Sequence, residues 1–256
     1  MARVETIASD AARGLPAFDH ENAGLQPAAL LNARFAGLSA HDIVERAVFD
    51  LFPGRIALVS SFGAESAVLL HLVAEVDRTI PVVFIDTLRL FPQTLAYRDM
   101  LVEKLKLADV RTVAPDPEAL AAKDRYKALW MTDPDLCCHI RNTEPLARAM
   151  HGFDAWFTGR KRFQAATRAA IQFFEADGAR MKVNPLANWT SAELKSYLAA
   201  HGLPPHPLVA EGYPSIGCLP CTSKVKPGED ERAGRWRGLE KTECGIHLGE
   251  TDGSGI

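Results

Sequence analysis

The stretch Arg55-Ile56-Ala57-Leu58-Val59-Ser60-Ser61-Phe62-Gly63-Ala64-Glu65-Ser66 carries the signal for the fold. Its first half, Arg55 to Ser60, is a short apolar run of the kind buried on both faces of a parallel sheet. Gly63 breaks the run. Glu65 to Val76 then has helical spacing, with Ala67, Leu69, Leu70, Val73 and Ala74 on the inward side. A second apolar strand, Pro81 to Ile85, ends at Asp86-Thr87. The next helix opens near Pro92, a residue favoured at the first helical position, and runs to about Leu107. A third strand follows at Val110 to Val113. This β-α-β-α-β order predicts a parallel sheet with right-handed crossovers.

Further along, a helical stretch after Asn142 leads into a fourth strand, Ala155 to Thr158, closed by Gly159. Ile171 to Glu175 and Arg180 to Val183, separated by Ala176-Asp177-Gly178, read as a hairpin or a sheet edge. Thr190 and Glu193 have capping-box spacing at the start of another helix, and Trp189 with Leu194 forms a candidate hydrophobic staple. After Gly202 the composition turns to Pro, Gly and charge, so the remainder is expected to be loop-rich. The fold class is α/β: a doubly wound, mostly parallel sheet with an irregular, mobile C-terminal segment.

Composition limits the function classes. The chain has 256 residues, 47% of them hydrophobic, enough apolar material for one large core and against disorder throughout. Its 29 basic and 32 acidic residues give a formal charge of -3, which argues against a protein that coats nucleic acid. The first 27 residues hold no apolar h-region, and no apolar run elsewhere approaches the roughly 20 residues that span a bilayer. A soluble, cytoplasmic protein without membrane or nucleic-acid partners is expected. Five cysteines, at 137, 138, 218, 221 and 244, are odd in number and suit a disulfide framework poorly.

Chemistry is carried by four features. Ser60, Ser61, Phe62, Gly63, Ala64, Glu65 and Ser66 join a strand to a helix N-terminus, where free N–H groups can meet a phosphate or sulfate oxygen. The loop lacks a Walker Lys and the G-x-G-x-x-G spacing, and an ordinary βα turn is the alternative. Asp86 and Thr87 end the neighbouring strand. Second, Cys137-Cys138 and Cys218-Leu219-Pro220-Cys221 could hold zinc or an iron–sulfur cluster. Adjacent residues on a helix point about 100° apart, so ligation by both Cys137 and Cys138 needs a bent backbone, and a larger cluster spans them more easily than one small ion. Third, Cys244 stands alone in a polar, glycine-flanked tail near cations and is expected to be exposed, where it could be a low-pKa nucleophile assisted by His247 three residues on, or a solvent-facing Cys without a task. Fourth, Arg160, Lys161 and Arg162, with Gln164 and Arg168, follow the fourth strand, and Arg232, Arg235, Arg237 and Lys241 precede Cys244. Guanidinium forks suit sulfate and phosphate oxygens, whereas a charge run is more often a solvated face.

Together these motifs resemble the assimilatory sulfonucleotide reductases, and most closely the bacterial iron–sulfur adenylylsulfate (APS) reductases. The resemblance rests on S-S-F-G-A-E-S at 60–66, I-D-T-L-R at 85–89, C-C-x-x-R at 137–141, G-R-K-R-x-Q-x-x-x-R at 159–168, C-x-x-C at 218–221 and K-T-E-C-G-I-H at 241–247. It covers about Arg55 to Leu248. It implies an adenine nucleotide alpha hydrolase-like fold, divided into an N-terminal arm (1–40), a nucleotide-binding reductase domain with the cluster site (41–221) and a catalytic tail (222–256). It implies one [4Fe–4S] cluster per subunit on Cys137, Cys138, Cys218 and Cys221, with Cys244 as nucleophile. In the family it resembles, the thiolate attacks the sulfate sulfur of APS, AMP leaves, and thioredoxin or glutaredoxin frees sulfite from the S-sulfocysteine. The loop 60–66 with Asp86 and Thr87 would hold the nucleotide, and Lys161, Arg162, Arg168, Arg232, Arg235 and His247 the anionic groups. A homo-oligomer is expected.

Three departures stand out. Asn142 occupies a position where the family usually has Lys, with Arg141 or His139 as substitutes. Phe163 and Ala165 replace commoner acidic and Ser residues, and the stretch from Arg235 to Cys244 is short. Family members without the paired cysteines generally prefer 3′-phosphorylated APS (PAPS), so the cysteine set implies APS; a PAPS or dual-substrate enzyme is the alternative. A tRNA-thiolating or adenylating enzyme would typically carry S-G-G-x-D-S, which residues 61–66 do not match. In a zinc-stapled binding module, Cys244 would be dispensable.

Overall fold

The structure is a computed structural model and describes residues 26–239 and 241–247. The apolar runs form the centre of a six-stranded sheet. Its strands are β1 (Ile56–Val59), β2 (Val82–Ile85), β3 (Val110–Val113), β4 (Ala155–Phe157), β5 (Phe174–Asp177) and β6 (Arg180–Val183), in the order β3-β2-β1-β4-β6-β5. All neighbours pair parallel except β5, which runs antiparallel on the edge as the first arm of a hairpin with β6. Gly178, at φ 59°, supplies the left-handed turn residue between them. The chain winds outward through β1, β2 and β3, then returns to β4 on the other side of β1. That reversal leaves a crevice beyond the carboxyl ends of β1 and β4, where open α/β sheets bind ligands.

The helices are α1 (Ala28–Phe35), α2 (Ala40–Arg46), α3 (Ser66–Val76), α4 (Pro92–Leu105), α5 (Pro117–Lys123), α6 (Leu129–Thr132), α7 (Pro134–Cys138), α8 (Glu144–Ala149), α9 (Ser191–Ala200) and α10 (Pro207–Ala210). The five inward positions expected of α3 are buried, and Val68 and Leu72 are buried with them. The second face is covered because α3 also meets α2, α4 and α9. On the opposite side of the sheet Leu146 and Met150, at α8 and its end, pack on Ala57, Val83, Ile85 and Trp156. The capping box at Thr190 and Glu193 forms as expected; Leu194 is buried, and the Trp189 ring meets Tyr197 edge-on at 5.4 Å. Among the described residues no helix is long and apolar enough to cross a membrane.

The segment expected as an arm divides differently. Residues 1–25 lie outside the described residues. From Ala28 the chain belongs to the core: Leu31 and Phe35, four positions apart, bury on one side of α1. Asn32 also donates to the Phe174 carbonyl at 2.8 Å and accepts its N–H at 2.9 Å, capping the edge strand as another strand would. The surrounding Ala, Gly and polar residues conceal this two-residue stripe in the sequence. Beyond Gly202 the chain is irregular as expected, held by antiparallel bridges between Leu90 and Cys218 and between Thr222 and Arg235.

Candidate active site

A cavity of about 240 Å³ opens at the reversal point of the sheet, lined from the ends of β1 and β4, from α7 and the turn after it, and from residues 214–246. Ser60, Ser61, Gly63, Ala64, Glu65 and Ser66 face it. Phe62 does not. With φ 48° its backbone is left-handed, and its ring is buried edge-on against Phe84 at 5.4 Å, so it anchors the loop from below. Thr87 lines the cavity with its hydroxyl 3.3 Å from Cys218 Sγ. Its neighbour Asp86 turns back to accept the Leu88 N–H at 2.9 Å and stays outside the lining. Arg162 is likewise spent on structure, donating to the Ile171 carbonyl at 2.8 Å.

All five thiols line this one cavity, and none is in a disulfide. Cys137 and Cys138 end α7, and the chain then widens into a π-helical turn, His139–Thr143, before α8. That turn is the bend the adjacent pair requires. Opposite them, a 3₁₀ turn at Leu219–Cys221 presents Cys218 and Cys221, tied to the β2–α4 loop by the Leu219 N–H on the Arg89 carbonyl at 2.7 Å.

The four thiols are compatible with a metal centre or cluster. A tetrahedral zinc, with bonds of about 2.3 Å, needs its sulfurs roughly 3.8 Å apart. Among the described residues the one group of His, Cys, Asp or Glu ligand atoms all within 4.8 Å of each other is His41, Asp42 and Glu45, not the thiols. Two buried guanidinium nitrogens at the cavity, Arg141 Nε and Arg235 Nε, have no hydrogen-bond partner among the described residues. Arg141 bonds the Thr87 carbonyl (2.8 Å) and Asp124 (2.6 Å) and faces the Cys137 thiol. Arg235 faces Cys218, Cys221 and Cys244 and stacks on the Trp236 ring at 4.4 Å. Burial pushes the thiols of Cys137, Cys218 and Cys221 up, that of Cys218 to about 11. These side chains therefore need positive charge to be thiolates, as ligation by a metal centre would provide.

Cys244 behaves differently. A hydrogen bond from the Cys138 thiol holds it down to about 7 against the cost of burial, helped by the Ile246 N–H, Arg235 and Lys241. Lys241 is positioned by an ion pair with Asp135. Asn142 lines the cavity, and Arg141 supplies the cation beside the paired cysteines; exposed His139 instead meets Glu144 at 3.2 Å.

The basic clusters converge in one network. Lys161 pairs with Glu65, and the Gln164 amide bridges Glu65 (2.7 Å) and Arg168 (2.6 Å). Arg168 grips Glu243 with two bonds, 2.6 and 2.8 Å, and Arg232 reaches the same carboxylate at 3.2 Å. Burial pulls Lys161 down and Arg232 down to about 10, while Arg168 and Arg232 keep Glu243 below the usual carboxylate range despite burial. Arg160 also lines the cavity, bonded to Glu175 and Asn184. The His247 backbone closes a 3₁₀ turn from Gly245, but its side chain lies outside the described residues. The sequence assigns Glu243 no role beyond its place next to Cys244, and it puts Arg160 and Gln164 in the basic cluster without singling them out as site residues.

Known proteins are similar to this chain in sequence and fold. Residues 55–224 match the phosphoadenosine phosphosulfate reductase domain. The adenosine 5′-phosphosulfate reductase of Mesorhizobium japonicum is 55% identical over 221 residues, covering 86% of this chain and 87% of that one. The enzyme of the same name from Mycolicibacterium smegmatis is 40% identical over 223 residues, covering 84% and 91%. The crystal structure of phosphoadenylyl-sulfate (PAPS) reductase from Candida auris, a phosphate complex, superposes with a TM-score of 0.67 at 28% identity, over 77% of this chain and 96% of that one. An FMN adenylyltransferase from Candida glabrata, at 17% identity and a TM-score of 0.51 over 85% of this chain and 79% of that one, shares the fold alone. A cavity at the sheet reversal, a cysteine set around it and a family match over the whole sheet lead to one assignment: the chain belongs to the phosphoadenosine phosphosulfate reductase family.

Proposed function

We propose that this protein reduces adenosine 5′-phosphosulfate to sulfite and AMP, with Cys244 as the nucleophile. The observation that carries the reading is the seat of Cys244: its thiol lies in the cavity beside the paired cysteines, with Arg235 and Lys241 facing it. Attack on a sulfate sulfur must overcome repulsion between anions, so fixed cations around the sulfate lower the barrier. Lys161, Arg168, Arg232 and Arg235 provide them, and the 60–66 loop with Thr87 holds the nucleotide.

In this reading the Cys244 thiolate forms a bond to sulfur as the bond from sulfur to the phosphate oxygen of AMP breaks. AMP leaves with that electron pair, and Cys244 carries a sulfonate. A thiolate of thioredoxin or glutaredoxin then attacks Cys244 Sγ, and sulfite departs with the bonding pair. The second thiol of that partner resolves the mixed disulfide, so both electrons come from the dithiol. Cys137, Cys138, Cys218 and Cys221 would hold a [4Fe–4S] cluster, which supplies structural ties and local charge beside the sulfate. Arg141 and Arg235 face these thiols and balance their charge. The segment 222–256 would act as the catalytic tail, and cytoplasmic residence suits the dithiol partner.

The test uses anaerobically purified holoprotein incubated with APS and no dithiol, followed by intact mass. One sulfonate adduct is expected, mapping to Cys244 and removed by reduced thioredoxin. Cys244→Ser should form none while retaining its iron. An adduct with PAPS alone would change the substrate, and no adduct with either nucleotide would overturn the mechanism.

A further inference from the structure

The cations assigned to the substrate's anionic group already hold an anion from the protein itself. Glu243 accepts two bonds from Arg168, at 2.6 and 2.8 Å, and a third from Arg232 at 3.2 Å. Arg168 and Glu243 are both buried. Arg232 also donates to the Thr242 carbonyl at 2.9 Å, so the fork grips backbone and side chain of the tail together. Two guanidinium groups converging on one carboxylate form a site of the geometry that receives sulfate or phosphate oxygens. The next residue is Cys244, so whatever fills this fork sets the nucleophile's position through a single peptide link.

We propose that Glu243 is a positioning residue that acts as an internal occupant of the anion site. Its carboxylate seats Cys244 while the site is empty, and an incoming sulfate or phosphate oxyanion competes with it for Arg168 and Arg232. The inference rests on the reading that these two arginines meet the substrate. Like charges sharing one buried fork repel strongly, so a substrate oxyanion loosens the grip on Glu243. Tail seating and anion binding are then reciprocally linked, each weakening the other by the same factor. Glu65 holds Lys161 and Gln164 in a similar way at the far end of the network, but it lies on the α3 loop and carries no nucleophile.

The experiment compares wild-type holoprotein with Glu243→Gln, which keeps the side-chain shape and removes the charge. The probe is inorganic sulfate, and two quantities are read: the alkylation rate of Cys244 by iodoacetamide, mapped by mass spectrometry, and sulfate affinity by calorimetry. In the wild type, sulfate should raise the Cys244 rate. In Glu243→Gln the rate without sulfate should be higher by about tenfold, matching the loss of a charge-assisted bond. Added sulfate should then change it little, and sulfate should bind more tightly than to wild type. A merely structural defect would weaken sulfate binding. A Cys244 rate unchanged by the substitution, or sulfate binding no tighter, overturns the proposal. Should the variant lose its iron, the wild-type titration decides alone: a rate that sulfate leaves flat or lowers overturns it. Failure of the APS adduct in wild type would instead remove the proposed function, and the sulfate measurements would still judge the latch.

Discussion

At the scale of single residues, the site depends on how closely backbone and guanidinium approach. A Cβ at Gly217 would overlap the Arg235 guanidinium, so only glycine leaves room for the cation that faces three thiols. Gly217→Ala is expected to displace Arg235 and to lower iron content and sulfite release together. Iron assay and turnover on the same preparation measure this, and a variant with full iron and full activity would show that Arg235's seat is unimportant. The residue scale is also where the sequence was least legible. Thr87 faces the cavity and Asp86 turns away, although both end the same strand. In a loop no periodicity says which of two neighbours points inward, so both were chosen. Arg162 and Lys161 divide in the same way, because a charge run does not reveal which cation a backbone carbonyl will engage.

At the scale of elements, the π turn His139–Thr143 sets the direction of the paired cysteines. It holds one residue more than an α-helical turn would, between a helix that ends in Cys137-Cys138 and one that packs on the sheet through Leu146. His139 is half exposed, and its ion-pair partner is Glu144. Deleting His139 should close the turn into regular helix and rotate α7 by about 100° relative to α8. Cys137 and Cys138 would then leave the cavity. Iron content should collapse while circular dichroism changes little; retained iron would show that the turn is not what aims the pair. The strands and helices around the sheet were legible because apolar runs of four to six residues and the 3.6-residue stripe of α3 are unlike each other in period. The π turn was visible only as a requirement: two adjacent ligands need a bend, but nothing in His139 to Thr143 specifies its kind.

On the scale of the whole molecule, the cavity sits where the sheet reverses, while stability is secured partly at the far edge. There β5 would offer free N–H and C=O groups, and α1 closes it through Asn32 and through Phe35, whose ring meets Phe174 at 4.9 Å. Leu31 and Phe35 join the main core, which also contains α3 and therefore supports the loop 60–66 at the start of that helix. The edge and the site are thus connected through packing and through Glu175 of β5, whose carboxylate pairs with Arg160 in the cavity lining. Phe35→Ala should cost about 3–5 kcal/mol of stability, the usual loss when a buried ring leaves a cavity. The measurable consequence is a lower urea midpoint, together with exposure of the β5 edge and faster aggregation. At temperatures where the variant remains folded, formation of the Cys244 adduct from APS should keep its wild-type rate, provided that the Glu175–Arg160 pair stays in place. A variant as stable as wild type would mean that α1 is dispensable and that the arm extends beyond residue 35. A stable variant with a slow adduct would mean instead that α1 acts on the nucleotide loop through α3.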